Sequence, residues 1–143
     1  MIISLTAWLR FSPSWGTDRG SIWIRCMAFF REYAPLQKLF GGGCGMLPRL
    51  DARSPLFPDA LLDTAHCEYL QILLNWGIFG LIAWLVCLGL CMASAARKRD
   101  ITAAALLAGV LSYAAQAAVN IAQAPSVCLF MLLLALCAAG DTP

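Results

Sequence analysis

The stretch ILLNWGIFGLIAWLVCLGLCMASAA, residues 72–96, decides the fold class of this 143-residue chain. Its only polar side chains are Asn75 and Ser94, and it exceeds the roughly 20 apolar residues that an α-helix needs to cross a bilayer. The whole chain is 61% apolar and 13% charged, with a mean hydropathy of +0.75, whereas soluble domains average about 45–50% apolar and 25% charged residues. We therefore predict an all-α membrane protein.

Two further apolar stretches follow, so the sequence predicts about three transmembrane helices. Residues 101–119 are interrupted only by Thr102, Ser112 and Gln116. The last stretch, residues 127–140, follows a proline and would give a helix of only about 21 Å, shorter than the roughly 30 Å of hydrocarbon. It crosses the membrane only if the residues before it also enter the bilayer.

The basic turn at residues 97–100 sets the predicted orientation. Short loops rich in Lys and Arg stay in the cytoplasm, so the long segment before the first span is predicted to lie on the outer face. The predicted order is a remnant of a preceding helix or linker (1–17), an outer-face loop (18–68) with an amphipathic helix at about 21–33, a transmembrane helix (69–96), a cytoplasmic loop (97–100), a transmembrane helix (101–119), a short outer loop (120–126) and a transmembrane helix (127–140). Because three helices enclose little volume, we expect a fragment of a larger multi-spanning bundle.

Residues 18–68, which precede the first span, are named the outer segment. This segment contains two patterned stretches. Between Ser21 and Tyr33 the apolar residues recur at helical spacing among charged ones, which predicts an amphipathic helix on the membrane surface. The glycine-rich turn at residues 41–45 follows, and backbone N–H groups in such a turn can bind an anion. The chain lacks the lysine spacing of a phosphate-binding loop, so a plain hinge is the favoured interpretation.

His66 is the only histidine of the chain and its candidate general base. Asp63 or Thr64 could cap the first span, which would place His66 in the first turn of that helix at the outer membrane boundary. The helix dipole there disfavours the imidazolium form, and a neutral imidazole can accept a proton from a reacting group. The alternative is a purely structural histidine.

Several classes of function are not expected. The net charge of +2 forms no basic stripe, so nucleic acid is not a predicted partner. The seven cysteines are odd in number and contain no C-x-x-C pair, which argues against a disulfide framework. The spacing of Cys44, His66 and Cys67 matches no common metal site. We predict neither a metal nor a cofactor.

Three motifs follow one another along the chain. They are Arg19-x-x-x-Trp23 at the start of a predicted helix, Pro35 ahead of the glycine turn, and Ala65-His66-x-x-Tyr69-Leu70-Gln71 running into Trp76-Gly77-Ile78-Phe79-Gly80 in the first span. In this order and spacing they resemble the C-terminal part of the bacterial O-antigen ligase and O-antigen polymerase family, over about residues 18–140.

The resemblance implies a multi-pass, metal-independent glycosyltransferase of the bacterial inner membrane. Such an enzyme moves a glycan from an undecaprenyl diphosphate carrier to an acceptor hydroxyl at the outer face, where the acceptor is lipid A core in a ligase or another glycan in a polymerase. The resemblance assigns His66 to activating the acceptor hydroxyl and Arg19 to the donor diphosphate, with Arg25 as a second candidate for the diphosphate.

Two departures from the family pattern affect these expectations. Cys67 stands where the family usually has Asn or another hydrogen-bonding residue, and a thiol is a weak partner for orienting His66. Family members also have many more helices before the outer loop. The isolated chain is therefore expected to be inactive without N-terminal helices or a helical membrane partner.

The alternative function is a small non-enzymatic membrane protein that docks on a larger helical partner. Ala104, Ala108 and Ser112 recur every fourth residue in the second span, a spacing that lets another helix approach closely. Transport ranks below both, because intramembrane charges usually mark it and none lies inside the predicted spans.

Overall fold

The computed structural model describes residues 12–58, 61–98 and 100–139, which form six helices and no β-strand. The helices are α1 (Trp15–Glu32), α2 (Pro35–Phe40), α3 (Met46–Asp51), α4 (Glu68–Arg97), α5 (Ile101–Ala117) and α6 (Ala124–Ala138). The predicted all-α class is confirmed for these residues. Most of the helix remnant predicted over residues 1–17 lies outside them.

Among the described helices, α4 is the one long and apolar enough to cross a membrane, with 30 residues and a mean hydropathy of 2.3. Helices α5 and α6 are also apolar but have only 17 and 15 residues. Helix α6 begins at Ala124, earlier than predicted, because Pro125 is well suited to the first helical turn. That three helices cross a membrane stays a prediction.

Helix α4 is broken at Gly77, where the sequence predicts a continuous helix. Gly77 has φ 72° and ψ −169°, a conformation essentially restricted to glycine. The break separates a first limb, residues 68–76, from a second limb, residues 78–97. The second limb is about 30 Å long at 1.5 Å per residue, which equals the thickness of the hydrocarbon core.

The glycine-rich turn after α2 docks on this break. Gly42 and Gly43 donate their backbone N–H groups to the carbonyls of Leu74 and Asn75, each at 2.9 Å. A Cβ on Gly41 would lie 2.2 Å from the Asn75 carbonyl oxygen, so only glycine permits this approach. The turn and the break at Gly77 therefore form one rigid joint. The N–H groups of Gly42 and Gly43 are hydrogen-bonded to α4 in this joint.

Helix α1 packs its apolar face into the outer segment, where the sequence predicts contact with the membrane surface. The core of the outer segment, named the outer core, contains the buried residues Ile22, Cys26 and Phe29 of α1, Tyr33 directly after it, and Leu47, Leu62, Ala65 and Leu74. The predicted helix at 21–33 is present but begins earlier, at Trp15, and residues 16–18 within its first turn have a left-handed φ. The outer segment itself covers much of the apolar face, and the contact of α1 with a membrane surface stays a prediction.

A buried carboxylate closes the loop between α3 and α4. Asp51 is fully buried and accepts hydrogen bonds from the N–H groups of Leu56, at 3.0 Å, and Leu62, at 2.9 Å. Asp51 is the last residue of α3, so the loop begins directly after it. Asp51 therefore ties the returning chain to the outer core.

Helices α4, α5 and α6 enclose a second core. Its buried members are Leu88, Ala95, Val110, Phe130, Leu134 and Cys137. The Tyr113 ring stacks on Phe130 with centroids 4.0 Å apart. At the opposite end from the outer segment, Lys98 Nζ donates to the carbonyl of Ala139, and the Asp100 side chain caps α5 by accepting from the N–H of Ala103 at 2.7 Å.

Candidate functional site

His66 lies two residues before α4, and its φ is 47°. The prediction that it sits in the first helical turn is wrong, because Cys67 is the N-cap residue. The chain before α4 is held by other bonds: the N–H of Ala65 donates to Gln71 Oε1 at 2.9 Å. A left-handed backbone is uncommon for residues other than glycine, so the surrounding contacts fix His66 in this position.

A small pocket of about 110 Å³ contains the imidazole. It is lined by Thr64, Ala65, His66, Cys67, Glu68, Gln71, Ile121 and Ala122. The first six belong to the start of α4 and the residues before it, while the last two come from the connection between α5 and α6. The pocket therefore lies where the outer segment meets the apolar helices, and it combines an imidazole with a carboxylate.

Glu68 is a member of this pocket that sequence reasoning missed. Its Oε2 accepts a hydrogen bond from the hydroxyl of Tyr113 at 3.0 Å. The neighbouring Tyr69 donates its hydroxyl to the carbonyl of Ala114 at 2.8 Å. Two tyrosine hydroxyls thus fasten the beginning of α4 to α5. The sequence signal for Glu68 is that it is an acid two residues from the histidine, but its partner is distant in sequence.

The structure uses Arg25 to hold the outer segment together. Its Nη2 donates to the carbonyl of Ser54, and its guanidinium carbon lies 4.6 Å from the centroid of the Phe29 ring. These contacts commit the guanidinium to the fold. Arg25 does not line the His66 pocket.

Arg19 also lies away from the His66 pocket. It occupies the first regular turn of α1, where its side chain runs past Gly16. The structure therefore does not bring the three sequence-predicted site residues together: His66 lines the pocket, whereas Arg19 and Arg25 do not.

A second, larger groove adjoins the His66 pocket. It has a volume of about 520 Å³ and is lined by Trp23, Ile24, Met27, Arg31, Cys67, Tyr69 and Leu70. Cys67 lines both cavities. Arg31 was not singled out in the sequence, although it shares a helix face with Trp23 and Met27 through the spacing of four residues.

The buried thiols near the site are poor nucleophiles and poor metal ligands. Burial raises the pKa of Cys26 from 9.0 to about 12 and also raises the pKa of Cys67, whereas the reactive form of cysteine is the thiolate. Over residues 12–58, 61–98 and 100–139, no group of three or more His, Cys, Asp or Glu side chains could hold a metal ion.

Known proteins add no assignment to this geometry. Comparisons with protein families, with characterised proteins and with solved structures find no match for the chain.

Proposed function

We propose that the chain is the C-terminal portion of a glycosyltransferase similar to the O-antigen ligases and polymerases. It would move a glycan from an undecaprenyl diphosphate carrier to an acceptor hydroxyl at the outer face of the bacterial inner membrane. The observation that carries the proposal is that the only histidine of the sequence and the carboxylate-bearing Glu68 line one small pocket between the outer segment and the apolar helices. The ordered motifs around Arg19, Pro35 and His66 support it.

The chemistry requires one proton acceptor and one leaving group. An imidazole nitrogen of His66 takes the proton of the acceptor hydroxyl, whose oxygen forms a bond to the anomeric carbon of the glycan. The bond from that carbon to the diphosphate oxygen breaks, and undecaprenyl diphosphate leaves with the bonding electrons. Glu68 can accept a hydrogen bond from another hydroxyl of the acceptor sugar, because it lines the same pocket.

Further helices are needed to complete a site for this donor. The His66 pocket is far smaller than a lipid-linked glycan. Large apolar side chains remain exposed on all three apolar helices, among them Leu90 on α4, Leu111 on α5 and Leu129 on α6. Such a surface suits lipid or neighbouring helices. We therefore expect no transfer activity from α1–α6 alone.

The test measures glycan transfer in membrane vesicles from cells that make the protein. The donor is radiolabelled undecaprenyl diphosphate-linked glycan isolated from the same cells, and the variant is His66→Asn, because asparagine tolerates a left-handed φ. Loss of a general base predicts a fall in transfer of about 100-fold or more. The exposed Cys44 in the glycine turn provides the control Cys44→Ser, which should transfer normally.

The products of the same assay separate the two reactions. Label on lipid A core indicates a ligase, and a lengthened glycan still on the carrier indicates a polymerase. Transfer by His66→Asn at the rate of the unmodified protein would contradict the proposed role of the histidine.

A second candidate is a docking subunit without enzymatic activity. The observation that favours it is the exposure of Ala104, Ala108 and Ser112 on α5, opposite to Ala103, Val110 and Ala117, which face the bundle. This candidate predicts a complex of defined stoichiometry that Ala108→Ile weakens and His66→Asn leaves intact. Cross-linking in native membranes distinguishes it from the transferase.

A further inference from the structure

We propose that Gln71, in the first turn of α4, is a positioning residue that fixes His66 in its pocket. The inference rests on the proposed function and names the residue that holds the general base in place. Gln71 lines the same pocket as His66. Its part in the reaction is to hold the chain on both sides of the histidine.

The main chain at His66 is in a conformation that needs support. Its φ of 47° is left-handed, and a residue other than glycine keeps such a conformation only where the surrounding structure holds it. The neighbours Ala65 and Cys67 are buried, whereas His66 is only half-buried and lines the pocket. The place of the imidazole therefore depends on how firmly these two neighbours are held.

Gln71 is bonded to the residue before His66 and to the residue after it. Its side-chain Oε1 accepts from the N–H of Ala65 at 2.9 Å, and its main-chain N–H donates to the carbonyl of Cys67 at 3.0 Å. The main-chain bond has ordinary helical spacing and would form with any residue except proline at this position. The bond to Ala65 depends on the carboxamide, so a substitution can remove it.

A further bond fixes the orientation of the Gln71 carboxamide. Its Nε2 donates to Asn75 Oδ1 at 3.3 Å, and Asn75 lies one helical turn further along α4. A main-chain N–H can only donate, so the carboxamide oxygen must face Ala65 and its nitrogen must face Asn75. Both ends of the carboxamide are satisfied in this orientation alone.

Asn75 connects these bonds to the glycine turn. Its main-chain carbonyl accepts from the N–H of Gly43 at 2.9 Å, while its side chain accepts from Gln71. The series of hydrogen bonds thus runs from Gly43 through Asn75 and Gln71 to Ala65. The residue before the histidine is thereby tied to the rigid joint.

Glu68, the other polar residue of α4 that lines the pocket, is held from a different direction. Its Oε2 accepts from the hydroxyl of Tyr113 on α5, a bond that does not involve the chain before α4. Loss of the Gln71 carboxamide should therefore release His66 and leave Glu68 bonded to α5.

Nuclear magnetic resonance of the imidazole tests the inference, because the chain contains a single histidine. The full chain, made with isotope-labelled histidine and a tag free of histidine, is extracted into detergent. Gln71→Met, which keeps the side-chain length but removes the oxygen, should shift the imidazole signal towards that of a histidine in a flexible peptide. Gln71→Glu should shift it less, since a carboxylate oxygen can accept from the N–H of Ala65.

Gln116→Met is the matched control, because Gln116 is an exposed glutamine of α5 that does not line the pocket. It should leave the signal in place. Asn75→Leu removes only the acceptor of Gln71 Nε2 and should shift the signal in the same direction by a smaller amount. Maleimide labelling of the buried Cys26 reports whether the outer core stays closed in each variant.

An unmoved imidazole signal in Gln71→Met or in Asn75→Leu would overturn the inference. Ready labelling of Cys26 in Gln71→Met would also overturn it, since Gln71 would then hold the whole outer core rather than the histidine.

Transfer kinetics separate the failure of this inference from the failure of the proposed function. Gln71→Met should lower kcat by about 100-fold, the cost of misplacing a catalytic group by about 1 Å, and leave the KM for the donor unchanged. If the signal moves but His66→Asn transfers glycan normally, the positioning role stands and the catalytic role of His66 fails. If transfer depends on His66 but Gln71→Met changes neither the signal nor kcat, the transferase stands and the role of Gln71 fails.

Discussion

Gly42 donates its backbone N–H to the carbonyl of Leu74 at 2.9 Å, joining the glycine turn of the outer segment to the first limb of α4. Leu74 precedes the break at Gly77, and a Cβ on Gly77 would lie 2.4 Å from the carbonyl oxygen of Leu39. The break and the turn therefore fit together as one joint. This joint sets the position of the first limb, at whose other end lies the His66 pocket.

Gly77→Ala should destabilise the protein strongly. Alanine at φ 72° is strained by about 1–3 kcal/mol, and the added Cβ would also push the Leu39 carbonyl away. Thermal unfolding in detergent measures the effect. Gly89→Ala is the matched control, because a Cβ there meets no atom within 4 Å and alanine favours helix by about 1 kcal/mol over glycine. Equal stability of the two variants would contradict the joint.

Asp51→Ala should loosen the loop before the His66 pocket. The substitution leaves the N–H groups of Leu56 and Leu62 without their acceptor, and each buried unsatisfied group costs about 1–3 kcal/mol. Limited proteolysis between residues 52 and 62, together with thermal unfolding, measures the change. Asp63→Ala removes an exposed carboxylate and should alter neither readout; equal cleavage of both variants would refute the role of Asp51.

Cys26 should resist alkylation while Cys44 reacts readily. Cys44 is exposed, whereas burial raises the pKa of Cys26 from 9.0 to about 12. A maleimide pulse at pH 8 followed by peptide mass spectrometry compares the two thiols in one sample. Comparable labelling of both would show that the outer core is open.

The same shift predicts a loss of stability in alkaline solution. In the unfolded chain Cys26 gives up its proton near pH 9, while the folded protein retains it up to about pH 12. The unfolded state then binds fewer protons, so the free energy of unfolding falls as pH rises through this window. Cys26→Ala should reduce the slope measured by denaturant unfolding between pH 8 and pH 10; an unchanged slope would contradict this contribution.

The sequence predicted the helices better than their irregularities. Long apolar runs identify α4, α5 and α6, since few other structures bury or cover so much apolar surface. The break at Gly77 was missed because glycine is frequent in membrane helices and its φ depends on Leu39 and Gly41, which pack against it. The outer core was missed for the same kind of reason: α1 looks amphipathic whether its partner is lipid or protein.

The site was only partly predictable. His66 stood out as the sole histidine, but its position before the helix depends on the bond between Ala65 and Gln71, and local capping preferences suggested an earlier start. Glu68 is held at the site by the hydrogen bond from the Tyr113 hydroxyl. Arg31 lines the groove only because the residues that begin α4 pack beside α1. These relationships join residues distant in sequence, so spacing along the chain could not reveal them.

The most direct test of the central claim couples the two products of the proposed reaction. In membrane vesicles supplied with undecaprenyl diphosphate-linked glycan, one molecule of free undecaprenyl diphosphate should appear for each new glycosidic bond. His66→Asn should suppress both products together by about 100-fold or more, with the protein still present in the membrane. Full carrier release and bond formation in the His66→Asn vesicles would contradict the account.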